Sequence, residues 1–387
     1  MFFKITPQKI ANWKNKGNIA KLIKAVNDKD EQISNLAVDA LNRLGGTEAV
    51  EDMISALGSN NRKTQLAAIK GLGKLGDKRA CSALLSMLSF PQEIKYEAVV
   101  ALGKIKDSST AQALLNAADD MNDDIHNACI ESLFNMGEAI SPILINHLSI
   151  EQPLKTRICA AKVLGKLTSR QAINALVKCL HDKNKDLVNA AEKALINIGK
   201  PATEAILPLL ENKETAPKAC RIIAEIGDLH SVQYLVKILE GNNKEAIAEA
   251  LAALSRLGDN KIADKVLSIL TNEAYEDVKI PKDTDISEEE KEQYTETNAI
   301  HRDIRRNAIK ALGVFKSTAA TDAIIKALKN TYTRDEAVTA IIRIGETAVR
   351  KALEKDEWFA GDAESFLRKN SGPENKQILK IIEERKK

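Results

Sequence analysis

The stretch Leu66-Ala67-Ala68-Ile69-Lys70-Gly71-Leu72-Gly73-Lys74-Leu75-Gly76-Asp77 returns along this chain in altered form. Leu36-Ala37-Val38-Asp39-Ala40-Leu41-Asn42-Arg43-Leu44-Gly45 precedes it. Ala190-Ala191-Glu192-Lys193-Ala194-Leu195-Ile196-Asn197-Ile198-Gly199 and Ala253-Leu254-Ser255-Arg256-Leu257-Gly258-Asp259 follow it. Gly45 and Gly76 are 31 residues apart, and the closures at Gly137, Thr168 and Gly199 keep that step. A fixed period of this size marks stacked supersecondary units. One helical pair cannot bury its apolar face alone, so neighbours must cover it.

Each unit reads as helix, polar turn, helix, closure. In the second unit Ala49, Val50, Met53, Ile54 and Leu57 share one face of a helix from Thr47 to Leu57. Gly58-Ser59-Asn60-Asn61 makes the turn, and Gly76 ends the second helix where a left-handed residue is needed. Later closures fall at Lys106, Gly137, Thr168, Gly199, Gly227, Gly258, Lys316 and Gly345. Where glycine is absent, Ala101-Leu102-Gly103, Val163-Leu164-Gly165 and Ala311-Leu312-Gly313 hold the register. Small residues such as Ala68, Ala98, Ala160 and Ala191 recur on the second helices and let neighbours approach closely. The predicted fold is all-α, a right-handed α-solenoid of about ten helical pairs.

The step from Gly258 to Lys316 is 58 residues, well over one period. The excess holds Glu276-Asp277, Asp283, Asp285, Glu288-Glu289-Glu290, Glu292 and Glu296 against Lys279, Lys282 and Lys291. With Pro281 it predicts a mobile acidic loop with a short helix beginning at Ser287, its role regulatory or inert. The expected division is a cap helix over 1–17 begun near Thr6-Pro7, repeats over 18–272, an inserted loop over 273–299, repeats over 300–350 and a cap over 351–387. Trp13 and Trp358, near the two ends, are expected to plug the last layers.

The unit Ile304-Arg305-Arg306-Asn307-Ala308-Ile309-Lys310-Ala311-Leu312-Gly313 resembles the second helix of short HEAT-like repeats named for phycobilisome lyases. Leu257-Gly258-Asp259 and Ile226-Gly227-Asp228 match the closure of that pattern. The resemblance covers nearly the whole chain and implies a HEAT-like repeat protein. HEAT-like families include protein scaffolds, bilin-attaching lyase subunits, a di-iron hydroxylase and DNA glycosylases. Iron ligation in such a hydroxylase implies His-Glu pairs. None of His126, His147, His181, His230 and His301 is followed by Glu, and no two lie within four residues. No metal site or cofactor is expected. If the chain has enzymatic work, the resemblance implies a lyase-type or chromophore-chaperone subunit.

The remaining composition narrows function. Aromatic residues are only 4% of 387, which suits an Ala, Leu and Ile core between close helices. Net charge is +3, so no overall field argues for nucleic acid or an anionic membrane. The odd set Cys81, Cys129, Cys159, Cys179 and Cys220 reads as reduced thiols. Met1-Phe2-Phe3-Lys4-Ile5 does not open a signal peptide, and no apolar run reaches membrane-span length. The expected location is the cytoplasm. No Gly-x-Ser-x-Gly or phosphate loop occurs, so no catalytic residue is assigned. Gly71-Leu72-Gly73 closes a helix with no strand before it and is not a dinucleotide fingerprint.

Charge position says more than charge total. The offset of Arg305 reads Ser34, Gln65, Lys95, His126, Arg157, Val188, Ala216, Ile247, Arg305 and Arg334. The offset of Lys310 reads Asp39, Lys70, Val100, Glu131, Lys162, Lys193, Arg221, Ala252, Lys310 and Thr339. Nine of these twenty are Lys or Arg and two are acidic, against 57 and 54 in the chain. The expectation is a basic concave groove that receives an acidic partner protein. Its candidate contacts are Lys70, Lys95, Tyr96, His126, Arg157, Lys162, Lys193, Arg221, Arg305, Lys310 and Arg334. The plainer alternative is a ladder of Arg paired with the Asp that closes a neighbouring unit. Tyr96 is the one aromatic beside the groove in the middle units, so nucleic acid ranks below protein.

Overall fold

Asn61 accepts the backbone N–H groups of Lys63 and Thr64 and so starts the helix Arg62–Leu75. Gly76 ends that helix at φ 72, in the left-handed region. The same grammar recurs through the computed structural model, which describes residues 5–26, 28–43, 46–278, 287–370 and 372–385. Met1-Phe2-Phe3-Lys4, Leu44, Gly45, Lys279, Pro281, Lys282, Asp283, Asp285 and the final two lysines lie outside the described residues. Among the described residues there are α-helices and short 3-10 turns and no strand. The all-α class of stacked helical pairs is the one observed.

The second helices are labelled in chain order. They are α1 Glu31–Arg43, α2 Arg62–Leu75, α3 Gln92–Ile105, α4 Asp123–Met136, α5 Leu154–Leu167 and α6 Lys185–Ile198, then α7 Ala216–Ile226, α8 Lys244–Leu257, α9 Glu288–Val314 and α10 Arg334–Ile344. The chain divides into two compact units, Met1–Ile198 and Gly199–Lys387. That division falls at a repeat closure the periodicity does not single out.

In the first unit α2 packs on α3, α3 on α4, α4 on α5 and α5 on α6. Leu72, Leu102, Leu133, Leu164 and Leu195 are all fully buried and occupy one register. The Ala-Leu-Gly triplet explains how the layers come so close. A Cβ on Gly165 would lie 2.6 Å from Ala194 Cα, closer than any side chain tolerates. In the second unit α7 packs on α8, α8 on α9 and α9 on α10. Ile223, Leu254, Leu312 and Ile341 continue the buried pattern there.

Several details differ from the expectation. The first helix of most pairs is short and opens with a 3-10 turn, as in Lys78–Ala80 followed by Cys81–Ser86. The closing Asp seeds it: Asp77 accepts the Arg79 backbone N–H at 2.9 Å. The helix at Ser287 is not short. A capping box between Ser287 and Glu290 starts a 27-residue helix that continues as the second helix of its pair. The expected loop contains that helix because its carboxylates sit in the first turn, where the helix dipole favours them.

Thr6 and Pro7 begin the first helix, Pro7–Asn15, as expected. Trp13 is half-buried. Trp358 is not a plug: it is 70% exposed, and the fully buried Phe359 beside it fills the layer.

Candidate interaction surface

The first row of candidates is largely turned inward. Ser34, His126, Arg157, Val188, Ala216 and Ile247 are all buried. Five of its polar members share one task. Ser34 Oγ donates to Val26 O at 2.5 Å, Gln65 Nε2 to Leu57 O at 3.0 Å, and His126 Nδ1 bonds Ala118 O at 2.8 Å. Arg157 Nε donates to Leu148 O at 3.2 Å, and Arg334 Nη1 to Leu328 O at 2.7 Å. Each acceptor is a carbonyl at the end of the preceding segment in the same pair. These side chains satisfy carbonyls that the helix end leaves unpaired.

The cations of this row also reach the next pair. Lys95 meets Asp120 at 2.5 Å and Arg157 meets Asp182 at 2.8 Å. Arg334 holds Asp356 at 2.8 Å and Asp362 at 2.6 Å. A ladder therefore exists, but Asp120, Asp182 and Asp356 sit in the turn before the next helix, and Asp362 in the first turn of the helix Phe359–Lys369. The closing Asp residues serve the 3-10 turns instead. The Lys95 ammonium and then the Asn122 N–H hold the Asp120 carboxyl below the usual carboxylate range. The Asn184 N–H, then the Arg157 guanidinium, do the same for Asp182. Asp356 raises Arg334, and Arg334 lowers Asp356 in return. Arg305 departs from its row: it is half-buried, and its Nε is buried without an acceptor.

The second row is more open and divides in two. Lys70 pairs with Glu97 at 3.1 Å, Arg221 with Glu249 at 3.2 Å and Lys310 with Glu336 at 3.6 Å. Burial pushes the Glu336 carboxyl up, but Arg306 and Lys310 outweigh it and leave it lowered. Lys162 and Lys193 are exposed and have no ion pair among the described residues. Both line a depression of 770 Å³ over α4, α5 and α6, within the first unit. Ile130, Ile158, Ala190 and Ala194 form its apolar part, and Asn127, Asn189 and Asn197 its uncharged polar part. Lys155 and Lys166 also line it, but Lys155 bonds Asp120 O at 2.9 Å and Lys166 pairs with Glu131. His126 lines the same depression, whereas Tyr96 stands on α3, 39% exposed.

The structure thus brings Lys162, Lys193 and His126 together and commits Lys95, Arg157 and Arg334 to joining pairs. The sequence reading missed Lys155, Asn127 and Asn189 as lining residues. Asn127 and Asn189 stand 62 residues apart, two periods, so the repeat itself carried the signal. Among the described residues no group of three or more His, Cys, Asp or Glu is placed to hold a metal ion. No single helix among them is long and apolar enough to cross a membrane.

Models of two repeat families match parts of the chain: HEAT repeats over residues 50–133, and the PBS lyase HEAT-like repeat over 157–182 and 304–330. Among curated proteins none matches. Of solved structures, Kap121p bound to Nup53p is similar over 95% of this chain, at 10% identity and a TM-score of 0.51. Kap121p bound to Pho4p is similar at 10% identity and 0.50 over the same share. The chain spans 45% of the length of each Kap121p chain. Importin beta in an ammonium sulfate condition is similar over 97% of this chain and 57% of its own, at 13% identity and a TM-score of 0.44. The Kap121p likeness at this identity bears on fold, and it agrees with the family matches and with the stacked pairs. This chain is a HEAT-like repeat protein.

Proposed function

We propose that the protein is a non-catalytic scaffold, and that the α4–α6 depression of its first unit receives an acidic segment of a partner protein. One observation carries this reading. Lys162 and Lys193 stand exposed on adjacent helices beside an apolar strip, while the neighbouring basic candidates are tied to carboxylates. A free ammonium over an apolar floor suits a chain that brings both carboxylates and side-chain methyls. The Kap121p structures, bound to Nup53p and to Pho4p, support the reading in kind, since a similar fold there holds another protein. The cytoplasm is the location that fits five reduced, buried cysteines.

The test is a fluorescein-labelled peptide rich in Glu and Asp, titrated with protein and read by anisotropy. Wild-type protein should bind it, and Lys162→Glu/Lys193→Glu should weaken binding about tenfold or more without changing helical circular dichroism. Unchanged affinity in the double variant would refute the assignment. Retention of a single-stranded DNA in place of the peptide, with a steep loss on added salt, would assign the surface to nucleic acid.

A further inference from the structure

Four lysines, Lys29, Lys70, Lys74 and Lys104, converge on a second pocket of the first unit, 250 Å³ in volume, which also holds the carboxylates of Asp28 and Glu97. Three layers build it: the turn before α1, then α2, then α3. Lys70 is held toward Glu97 at 3.1 Å, and Lys74 donates to Ser34 Oγ at 2.6 Å. Asp28 accepts the Asp30 N–H at 2.9 Å, so part of its capacity goes to the turn. Lys29 and Lys104 are exposed and have no ion pair among the described residues. The two ammonium groups of Lys29 and Lys104 are therefore the ones available to a ligand.

We propose that this pocket takes a phosphate monoester carried on a serine or threonine of the same acidic partner segment. The inference rests on the reading of the α4–α6 depression and adds a second subsite to it. Charge selects the ligand. A phosphorylated side chain carries about −1.5 to −2 and three acceptor oxygens, which matches the Lys29 and Lys104 ammonium groups together; one carboxylate matches a single one of them. The lining has no aromatic ring on which a base could stack, which sets aside a nucleotide. Reach sets the spacing. From α2 to α5 there are three helix-to-helix steps of about 8–10 Å each. An extended chain covers that span in about eight or nine residues. The partner segment therefore bears its acidic cluster and its phosphorylated residue about that far apart.

The experiment uses two labelled peptides, each with a run of Glu separated by nine Gly/Ser residues from one serine, phosphorylated in one peptide and not in the other. With wild-type protein, phosphorylation should raise affinity about tenfold, the effect of a few added charge-assisted hydrogen bonds. In Lys29→Ala/Lys104→Ala that gain should vanish while the unphosphorylated peptide binds as before. Equal affinities for the two peptides, with binding still lost in Lys162→Glu/Lys193→Glu, would overturn the phosphate subsite and leave the depression standing. Loss in neither variant would remove both. Inorganic phosphate titrated alone distinguishes the source. Millimolar binding is expected, because the free ion lacks the second anchor; micromolar binding would assign the pocket to the free ion and overturn the proposal.

Discussion

Arg157 gives its Nε hydrogen to Leu148 O at 3.2 Å and an Nη2 hydrogen to Asp182 at 2.8 Å. One guanidinium thus closes its own helical pair and grips the turn of the next. The two side chains are 10% and 14% exposed, so water screens them little. Removing one partner leaves a buried charge alone, which costs about 3–5 kcal/mol. Arg157→Ala should lower stability by that order in urea unfolding. The pair Arg350–Glu346, 54% and 43% exposed, should contribute under about 1 kcal/mol, and Arg350→Ala should barely move the midpoint.

Acid should weaken the same joints. Asp120, Asp182 and Asp356 all titrate below their ordinary value, held by Lys95, by the Asn184 N–H with Arg157, and by Arg334 respectively. Their folded values lie below their unfolded ones, so the unfolded chain binds more protons as pH falls. The stabilisation is complete above about pH 4 and is lost as pH drops through the folded values. Unfolding free energy measured from pH 5 to pH 2 should fall in that window. Asp120→Asn/Asp182→Asn should flatten the slope.

Repeat, helix pairing and core were legible because each depends on local pattern: Leu72, Leu102, Leu133, Leu164 and Leu195 read the same in sequence and in space. The surface was legible only in part. Position alone does not say whether a long cation meets solvent or a carboxylate. Lys162 and Arg157 are five residues apart on one helix, yet Lys162 is exposed and Arg157 is buried against Asp182. That outcome turns on an acid 25 residues further along, in a turn whose pairing no single repeat reveals. The helix from Ser287 is longer than its acidic density suggests, because the Ser287–Glu290 capping box starts it and its first-turn carboxylates favour it.

Thiol chemistry should be silent in the folded protein. All five cysteines are buried. Burial pushes the Cys129 and Cys220 thiols up to about 12 and raises Cys159 further. Desolvation also raises Cys81 and Cys179. Thiolate is the reactive form, so native protein at pH 8 should react with an aromatic disulfide reagent only as fast as it unfolds. In denaturant all five should react at once. A fast phase of one equivalent in native protein would mean that one of these layers opens.

Two substitutions three residues apart should move stability in opposite directions. Gly165 lies inside α5, where alanine normally gains about 1 kcal/mol over glycine. Here a Cβ would sit 2.6 Å from Ala194 Cα and 2.7 Å from Ala194 Cβ, and backbone does not yield as a side-chain tip does. Gly165→Ala should therefore cost about 1–3 kcal/mol through overpacking, with the propensity gain swamped. Thr168 closes the same helix at φ 52, a left-handed conformation that costs an L-residue about 1–2 kcal/mol and a branched one more. Glycine adopts it freely, and other closures of this chain use it, Gly76 among them. Thr168→Gly should stabilise by about 1 kcal/mol, less what the unfolded chain gains in freedom. Thermal unfolding of the two variants reads both signs. A stabilising Gly165→Ala would show that α5 and α6 have room between them, and the close stacking of the layers would then need another cause.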